Sequence, residues 1–286
     1  MEIIIGKNAG LCSVAQRAID KLLEETKNGN VYCLGEIVHN RNVIDSLKKA
    51  GVCFINNIDE SKGTTIIGAH GVTKDIYDKT DKMNKEVIDL TCPVIIKIKK
   101  MAEEYSKKGY FIIIVGKSNH TEVLGIKSIV GSEFTNIQNK YEIPDVIKII
   151  SNKKRVLVIS QTTFNSNIFD EIIEELKKTI KGDVILEINK TICLTTLDRQ
   201  KETKEMAKSV DVMIIVGDKN SSNTTELYNI AHKYCENTQF ICCLEELNFN
   251  LLRKSYKIGI MGGASTPKED ILKVKNELLT SDRIKQ

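Results

Sequence analysis

The sequence has no tryptophan, only three prolines and 5% aromatic residues. It also lacks any CxxC pair, any basic block, and any apolar run approaching the roughly 20 residues that a membrane helix needs. Each absence excludes something. Without CxxC, the common zinc-ribbon and thioredoxin-like spacings are missing. A nucleic-acid binder would cluster its basic residues and interleave stacking aromatics, and neither is present. No Pro-rich or Gly/Ser-rich linker divides the chain. The start, MEIIIGKNAG, has an acidic second residue and a very short apolar run, unlike a secretory signal. The expected compartment is the cytoplasm.

What is present is ordinary globular material. The 286 residues are 41% hydrophobic and 28% charged, with a net charge of +4. Length alone predicts roughly two domains. Eight cysteines stand out, at Cys12, Cys33, Cys53, Cys92, Cys193, Cys235, Cys242 and Cys243. In a reducing compartment they are buried apolar residues, metal ligands or catalytic thiols.

Three of them open similar segments. CSVAQRAIDKLLEETKNGNVYCLG, CPVIIKIKKMAEEYSKKGYFIIIVG and CLTTLDRQKETKEMAKSVDVMIIVG each begin with Cys, continue as a charged amphipathic helix, and end in a β-branched run closed by Gly. The spacing is 23 residues from Cys12 to Gly35, 24 from Cys92 to Gly116 and 24 from Cys193 to Gly217. Four residues beyond these glycines stand His39, His120 and Ser221, and six beyond stand Arg41, Glu122 and Asn223. A further strand in each segment ends in a turn carrying His70, Thr162–Thr163 or Ser265. Alternating strands and helices predict parallel βαβ units with right-handed connections. We therefore expect an α/β fold of three units with parallel sheets. The units span 1–91 (with 1–11 as an extra leading strand), 92–192 and 193–286.

Ligands of parallel α/β sheets gather at strand carboxyl ends beside helix N-termini. If the three units converge, Cys12, Cys92 and Cys193 meet there. Three thiolates can hold three irons of a cubane cluster and leave the fourth open, and zinc on three Cys is the competing choice. The other five cysteines are expected in the core. His39, His70 and His120 with serines and Asn223 resemble an anion pocket. Glu122, the one carboxylate among these loop positions, is either a proton donor with a raised pKa or a helix first-turn residue favoured by the macrodipole.

In order along the chain stand GLCSVAQRAI, GEIVHN, AHGV, DLTCP, NHTEV, SQTT, TIC followed by DRQ, VGDKNSSN and GGAS. Together these motifs resemble the hydroxymethylbutenyl diphosphate reductase family across nearly the whole chain. The resemblance implies a pseudo-threefold trefoil of the three α/β units around a central cluster site, with one 4Fe-4S cluster on Cys12, Cys92 and Cys193. It implies diphosphate binding by His39, His70, His120, Ser221, Ser222, Asn223 and Ser265, a substrate contact by Thr163, and proton donation by Glu122. It further implies a ferredoxin or flavodoxin as electron donor. In the implied reaction the substrate hydroxyl binds the open iron and leaves as water, giving isopentenyl and dimethylallyl diphosphate. The pattern departs from the family at Leu11, Val14, Thr73, Lys74, Asn119, Thr121 and Leu197. Val14 stands where Gly is usual and predicts a more restricted backbone beside Cys12.

Alternatives of other classes are a quinolinate-synthase-like iron–sulfur dehydratase, a non-catalytic iron–sulfur paralogue, and a zinc hydrolase or deaminase suggested by His120-Thr-Glu122. The last lacks the accompanying P-C-x-x-C.

Overall fold

The computed structural model describes residues 1–82, 86–180, 182–252 and 256–281. It contains three four-stranded sheets, all of whose pairings are parallel. The expected α/β class with parallel sheets is what forms.

The chain divides into two compact units. One contains Met1–Glu24, Glu36–Gly51 and Leu194–Gln286, and the other Glu25–Gly35 and Val52–Cys193. In the first lie strands β1 (Glu2–Ile5), β10 (Val212–Val216), β11 (Thr238–Ile241) and β12 (Lys257–Gly262). Most of helix α1 (Ser13–Glu25) belongs here, as do α2 (Arg41–Lys49), α8 (Leu194–Ala207), α9 (Ser222–Tyr234) and α10 (Lys268–Thr280).

The second unit holds two sheets. One comprises β2 (Val31–Leu34), β3 (Cys53–Ile55), β4 (Thr64–Ile67) and β5 (Val87–Asp89). The other comprises β6 (Phe111–Val115), β7 (Phe134–Ile137), β8 (Arg155–Ser160) and β9 (Ile185–Asn189). Its helices are α3 (Lys74–Thr80), α4 (Pro93–Lys107), α5 (Thr121–Lys127), α6 (Ile143–Ile150) and α7 (Ser166–Thr179).

All three sheets share one strand order. They run β3-β2-β4-β5, β7-β6-β8-β9 and β11-β10-β12-β1. The first-formed strand of each segment is flanked by the second and third, and a fourth lies outside the third. In the C-terminal sheet that fourth place is taken by β1, whose Ile3 pairs with Ile258 and Ile5 with Ile260. The leading strand thus completes the last sheet rather than the first.

Central strands are buried on both faces, which explains their unbroken apolar runs. Every residue of FIIIV in β6 and VMIIV in β10 is buried. Around β6, Ile112, Ile114, Val123, Ile126, Leu157 and Ile159 form one core with no solvent exposure. Each such side chain contributes about 1.5–3 kcal/mol by burial.

The five remaining cysteines are not all core. Cys33 and Cys235 are buried, but Cys53 and Cys243 are exposed and Cys242 is intermediate. The reason is position: Cys53 starts the edge strand β3, and Cys242 and Cys243 follow the edge strand β11. The Cys33 thiol, buried in β2, is pushed up to about 12 by desolvation and stays protonated. Val14, second residue of α1, occupies an ordinary helical turn that a β-branched residue can adopt, so no glycine is required there.

Removing residues 1–6 is expected to strip hydrogen-exchange protection from β12 amides while leaving β2 and β4 protected. Exchange mapped by mass spectrometry checks this, and loss of protection in β2 or β4 instead would refute the pairing.

Candidate functional site

Each of the three repeated cysteines occupies the residue just before a helix: Cys12 before α1, Cys92 before α4 and Cys193 before α8. Each follows a fourth strand. Each backbone N–H donates to a carbonyl just beyond a third strand: Cys12 to Ala264 (3.0 Å), Cys92 to Ala69 (2.9 Å) and Cys193 to Thr162 (3.0 Å). The acceptor's neighbour is in every case an expected pocket residue, namely Ser265, His70 or Thr163. None of the three is in a disulfide, and all are partly accessible. The first turn of α1 offers an N–H to the sulfur, with Ala15 N donating to Cys12 Sγ at 3.3 Å.

The glycine-closed strands repeat as closely. The N–H of Gly35, Gly116 and Gly217 donates to the last residue of the second strand, Ile55, Ile137 or Ile241, at 2.9, 3.0 and 2.9 Å. The helices that follow are capped by Asn40, His120 and Ser221, whose side chains accept from Val43, Glu122 and Thr224 N–H. The true counterpart of His120 is therefore Asn40, not His39. The first segment's loop is one residue longer, which residue counting from the glycine cannot detect.

In the first unit, Ser221, Ser265, Asn223 and His39 form one group. Ser265 Oγ donates to His39 O at 3.0 Å and to Ser221 Oγ at 3.2 Å. Asn223 Oδ1 accepts from Ala264 N–H at 3.0 Å, which fixes the amide orientation. That leaves Asn223 Nδ2 buried without a hydrogen-bond partner. A buried unsatisfied donor costs about 1–3 kcal/mol, so an acceptor supplied by a ligand is favoured here. Ser222, buried beside Ser221, starts α9, whose N-terminus suits an anion. His39 Nδ1 lies 2.7 Å from Glu36 Oε2.

In the second unit, His120 and His70 meet edge to face with ring centroids 5.9 Å apart. His120 Nδ1 accepts from Glu122 N–H at 3.2 Å, which leaves Nε2 as the ring's other polar atom. Glu122 has no solvent exposure. Thr162 donates to it twice, from N to Oε1 at 2.8 Å and from Oγ1 to Oε2 at 2.7 Å. Burial dominates and pushes the carboxyl up to about 7, while the Thr162 bonds and the Lys99 charge pull it back. Thr163 Oγ1 accepts from Gln161 Nε2 at 2.6 Å. The repeat places Thr162 on one of its turns, beside Thr163, but no spacing pairs it with Glu122, and Lys99 falls at no repeated position.

Glu122 and Asn223 occupy equivalent places. Each is the second residue after its cap, and each accepts the N–H of the residue whose carbonyl serves a cysteine. Among the described residues, no three His, Cys, Asp or Glu come together as a site for a single metal ion.

Two measurements follow from these environments. The folded Glu122 value of about 7 lies above its ordinary 4.5. Below 4.5 the group is protonated folded or unfolded, and nothing is lost. Between the two values only the unfolded state ionises, so native stability falls as pH rises, by about 3 kcal/mol in full above 7. In urea unfolding, Glu122→Gln is expected to gain on the wild type by about that amount between pH 4 and pH 8, and a pH-independent difference would contradict it. Under anaerobic alkylation, Cys53 and Cys243 are expected to react first and Cys33 last, as peptide mapping would record.

The profile of the LytB protein family matches residues 3–279. A 4-hydroxy-3-methylbut-2-enyl diphosphate reductase of Thermoanaerobacter sp. (strain X514) is 38% identical, over 96% of each chain. One of Campylobacter hominis is 40% identical over 98% of this chain and 99% of its own. The solved E-1-hydroxy-2-methyl-but-2-enyl-4-diphosphate reductase of Plasmodium falciparum matches with a TM-score of 0.89 at 27% identity, covering 98% of this chain and 88% of that one. A second solved (E)-4-hydroxy-3-methyl-but-2-enyl diphosphate reductase matches with a TM-score of 0.69 at 34% identity, covering 98% of this chain and 100% of that one. With the motif order, the repeated cysteine placement and these full-length likenesses in agreement, the chain belongs to the LytB protein family.

Proposed function

We propose that this chain is a hydroxymethylbutenyl diphosphate reductase, converting 4-hydroxy-3-methylbut-2-enyl diphosphate to isopentenyl and dimethylallyl diphosphate in the last step of the non-mevalonate pathway. Relatives bearing that enzyme name span nearly the entire chain. The reaction takes up two electrons and two protons, replaces a hydroxyl by hydrogen and releases water. The protein must therefore hold a diphosphate, a source of electrons and a proton.

We assign Cys12, Cys92 and Cys193 as ligands of one 4Fe-4S cluster. The donor chemistry fits: three thiols outside any disulfide in equivalent positions, with no fourth at a repeated place. The irons of a cubane are separate centres, so its thiolates need not converge as ligands of one ion do. When bound, the cluster supplies the electrons and an open iron for the substrate oxygen. Electrons reach it from a one-electron carrier such as ferredoxin or flavodoxin. None of the eight cysteines is paired in a disulfide, which suits a reducing cytoplasm.

Ser221, Ser222, Asn223 and Ser265 bind diphosphate oxygens, with the unpaired Asn223 Nδ2 as a ready donor. His39, His70 and His120 add donors, charged when protonated. Thr163 contacts the substrate through its hydroxyl. Glu122 is the proton donor. A carboxyl at about 7 is protonated in about half the molecules at neutral pH, near the optimum for transfer. Thr162 Oγ1, at 2.7 Å, can accept as well as donate on that path.

The division into repeats at 1–91, 92–192 and 193–286 belongs to the same proposal, with β1 contributed to the last sheet. The shared strand order supports it. The single observation that carries the functional reading is the threefold hydrogen bond seating each cysteine against a pocket turn.

Anaerobic purification is expected to give a brown protein with about four irons per chain. It should turn over the diphosphate with reduced methyl viologen and not without it. Glu122→Gln is expected to lower turnover by about 10²-fold or more with the iron retained. A colourless protein carrying tightly bound zinc, or a brown one inert toward this substrate, would overturn the reading.

A further inference from the structure

We propose that Lys99 is a positioning residue for this site, tying the His70 turn to the helix start that carries Glu122. The inference rests on the reductase reading above, but one of its readouts does not.

Lys99 lies on α4, seven residues after Cys92, and is half-buried. Its ammonium donates to Val72 O at 2.6 Å, two residues beyond His70. It reaches that carbonyl through a slot that two glycines leave open. Gly125, in α5, has no side chain where a Cβ would lie 2.7 Å from Lys99 Cε and 2.8 Å from Nζ. Gly71, at φ +68°, would place a Cβ 3.1 Å from the same Nζ. Three elements therefore close on one ammonium: α4 below Cys92, the turn of His70, and α5 with His120 and Glu122.

The charge is placed as well as the bond. The groups facing Lys99 are the carboxylates Asp89 and Glu122, the Val72 carbonyl, and the Tyr77 ring 5.2 Å from Nζ. Tyr77 OH in turn holds Asp89 and Thr91 at 3.2 and 3.0 Å. Burial lowers the ammonium's pKa, and the two carboxylates oppose that. A half-buried cation beside a fully buried carboxyl favours the ionised carboxyl and limits how far burial can raise it. Lys99 thus bears on substrate binding through the His70 turn and on proton donation through Glu122.

Two variants of the cluster-loaded enzyme separate this from a general packing role. Lys99→Met removes bond and charge together. Gly125→Ala keeps the charge but evicts the ammonium from its slot. On packing grounds alone, Ala in a helix is stabilising and should leave kinetics untouched. Expected for Lys99→Met is a rise of about tenfold in KM, the worth of one well-placed polar contact, and an upward move of the Glu122 titration midpoint. That midpoint is read from the protonated-carboxyl infrared band, identified by its loss in Glu122→Gln. Gly125→Ala is expected to raise KM similarly while moving the midpoint less.

A wild-type KM in Gly125→Ala, or an unmoved midpoint in Lys99→Met, overturns the proposal. If Lys99→Met does not fold, the KM of Gly125→Ala decides. If the wild type fails to reduce the diphosphate, the reductase reading falls, and the infrared midpoint alone then decides the role of Lys99.

Discussion

The bond from each cysteine N–H to the carbonyl beside it is the constraint from which the rest of the site follows. A parallel fourth strand lies next to the third, so the chain leaving the fourth passes the turn that ends the third. One hydrogen bond there fixes the height of the cysteine relative to Ser265, His70 or Thr163. The same bond sets the start of the next helix, since the cysteine is the residue before it. Thiol, polar turn and helix N-terminus are thereby registered together, three times, by backbone geometry.

Upon that shared frame the segments diverge in chemistry. Where the C-terminal segment has Asn223, the middle one has Glu122, and both accept the same backbone N–H. The neutral amide leaves one buried donor, Asn223 Nδ2, without a partner. The carboxyl, sealed from water, is left near the midpoint of its titration at neutral pH. A single change of side chain replaces an unpaired amide donor by a buried carboxyl whose pKa is raised to about 7.

Much of this was legible in the residues. The Cys-to-Gly spacing locates the helices and the strands they precede, because helix length and strand rise are fixed by the backbone. The cap positions of His120 and Ser221 are similarly visible. The misplacement of His39 opposite His120 has a plain cause: one inserted loop residue shifts a count but not a hydrogen-bond pattern. Cys53, Cys242 and Cys243 look apolar by their neighbours, yet edge strands leave their ends in solvent. The repeat marks the turn of Thr162, but its bonds to Glu122 and the bond of Lys99 to Val72 are closed by tertiary packing, 40 and 27 positions away in sequence.

The pairing of β1 with β12 has a bearing on how the molecule comes into being. Glu2 lies against Lys257, so the earliest part of the chain is joined to one of the latest. During synthesis β1 has no sheet to enter until β12 has left the ribosome. Long-range parallel pairing of this kind is slow and leaves an open edge meanwhile. Cys12 follows that strand and donates its N–H to the carbonyl of Ala264, which is made later still. Two of the three cysteines find their carbonyls while the chain is growing, whereas the first to be made is the last to be seated. The three equivalent cysteine positions are therefore complete only once Ala264 has been made.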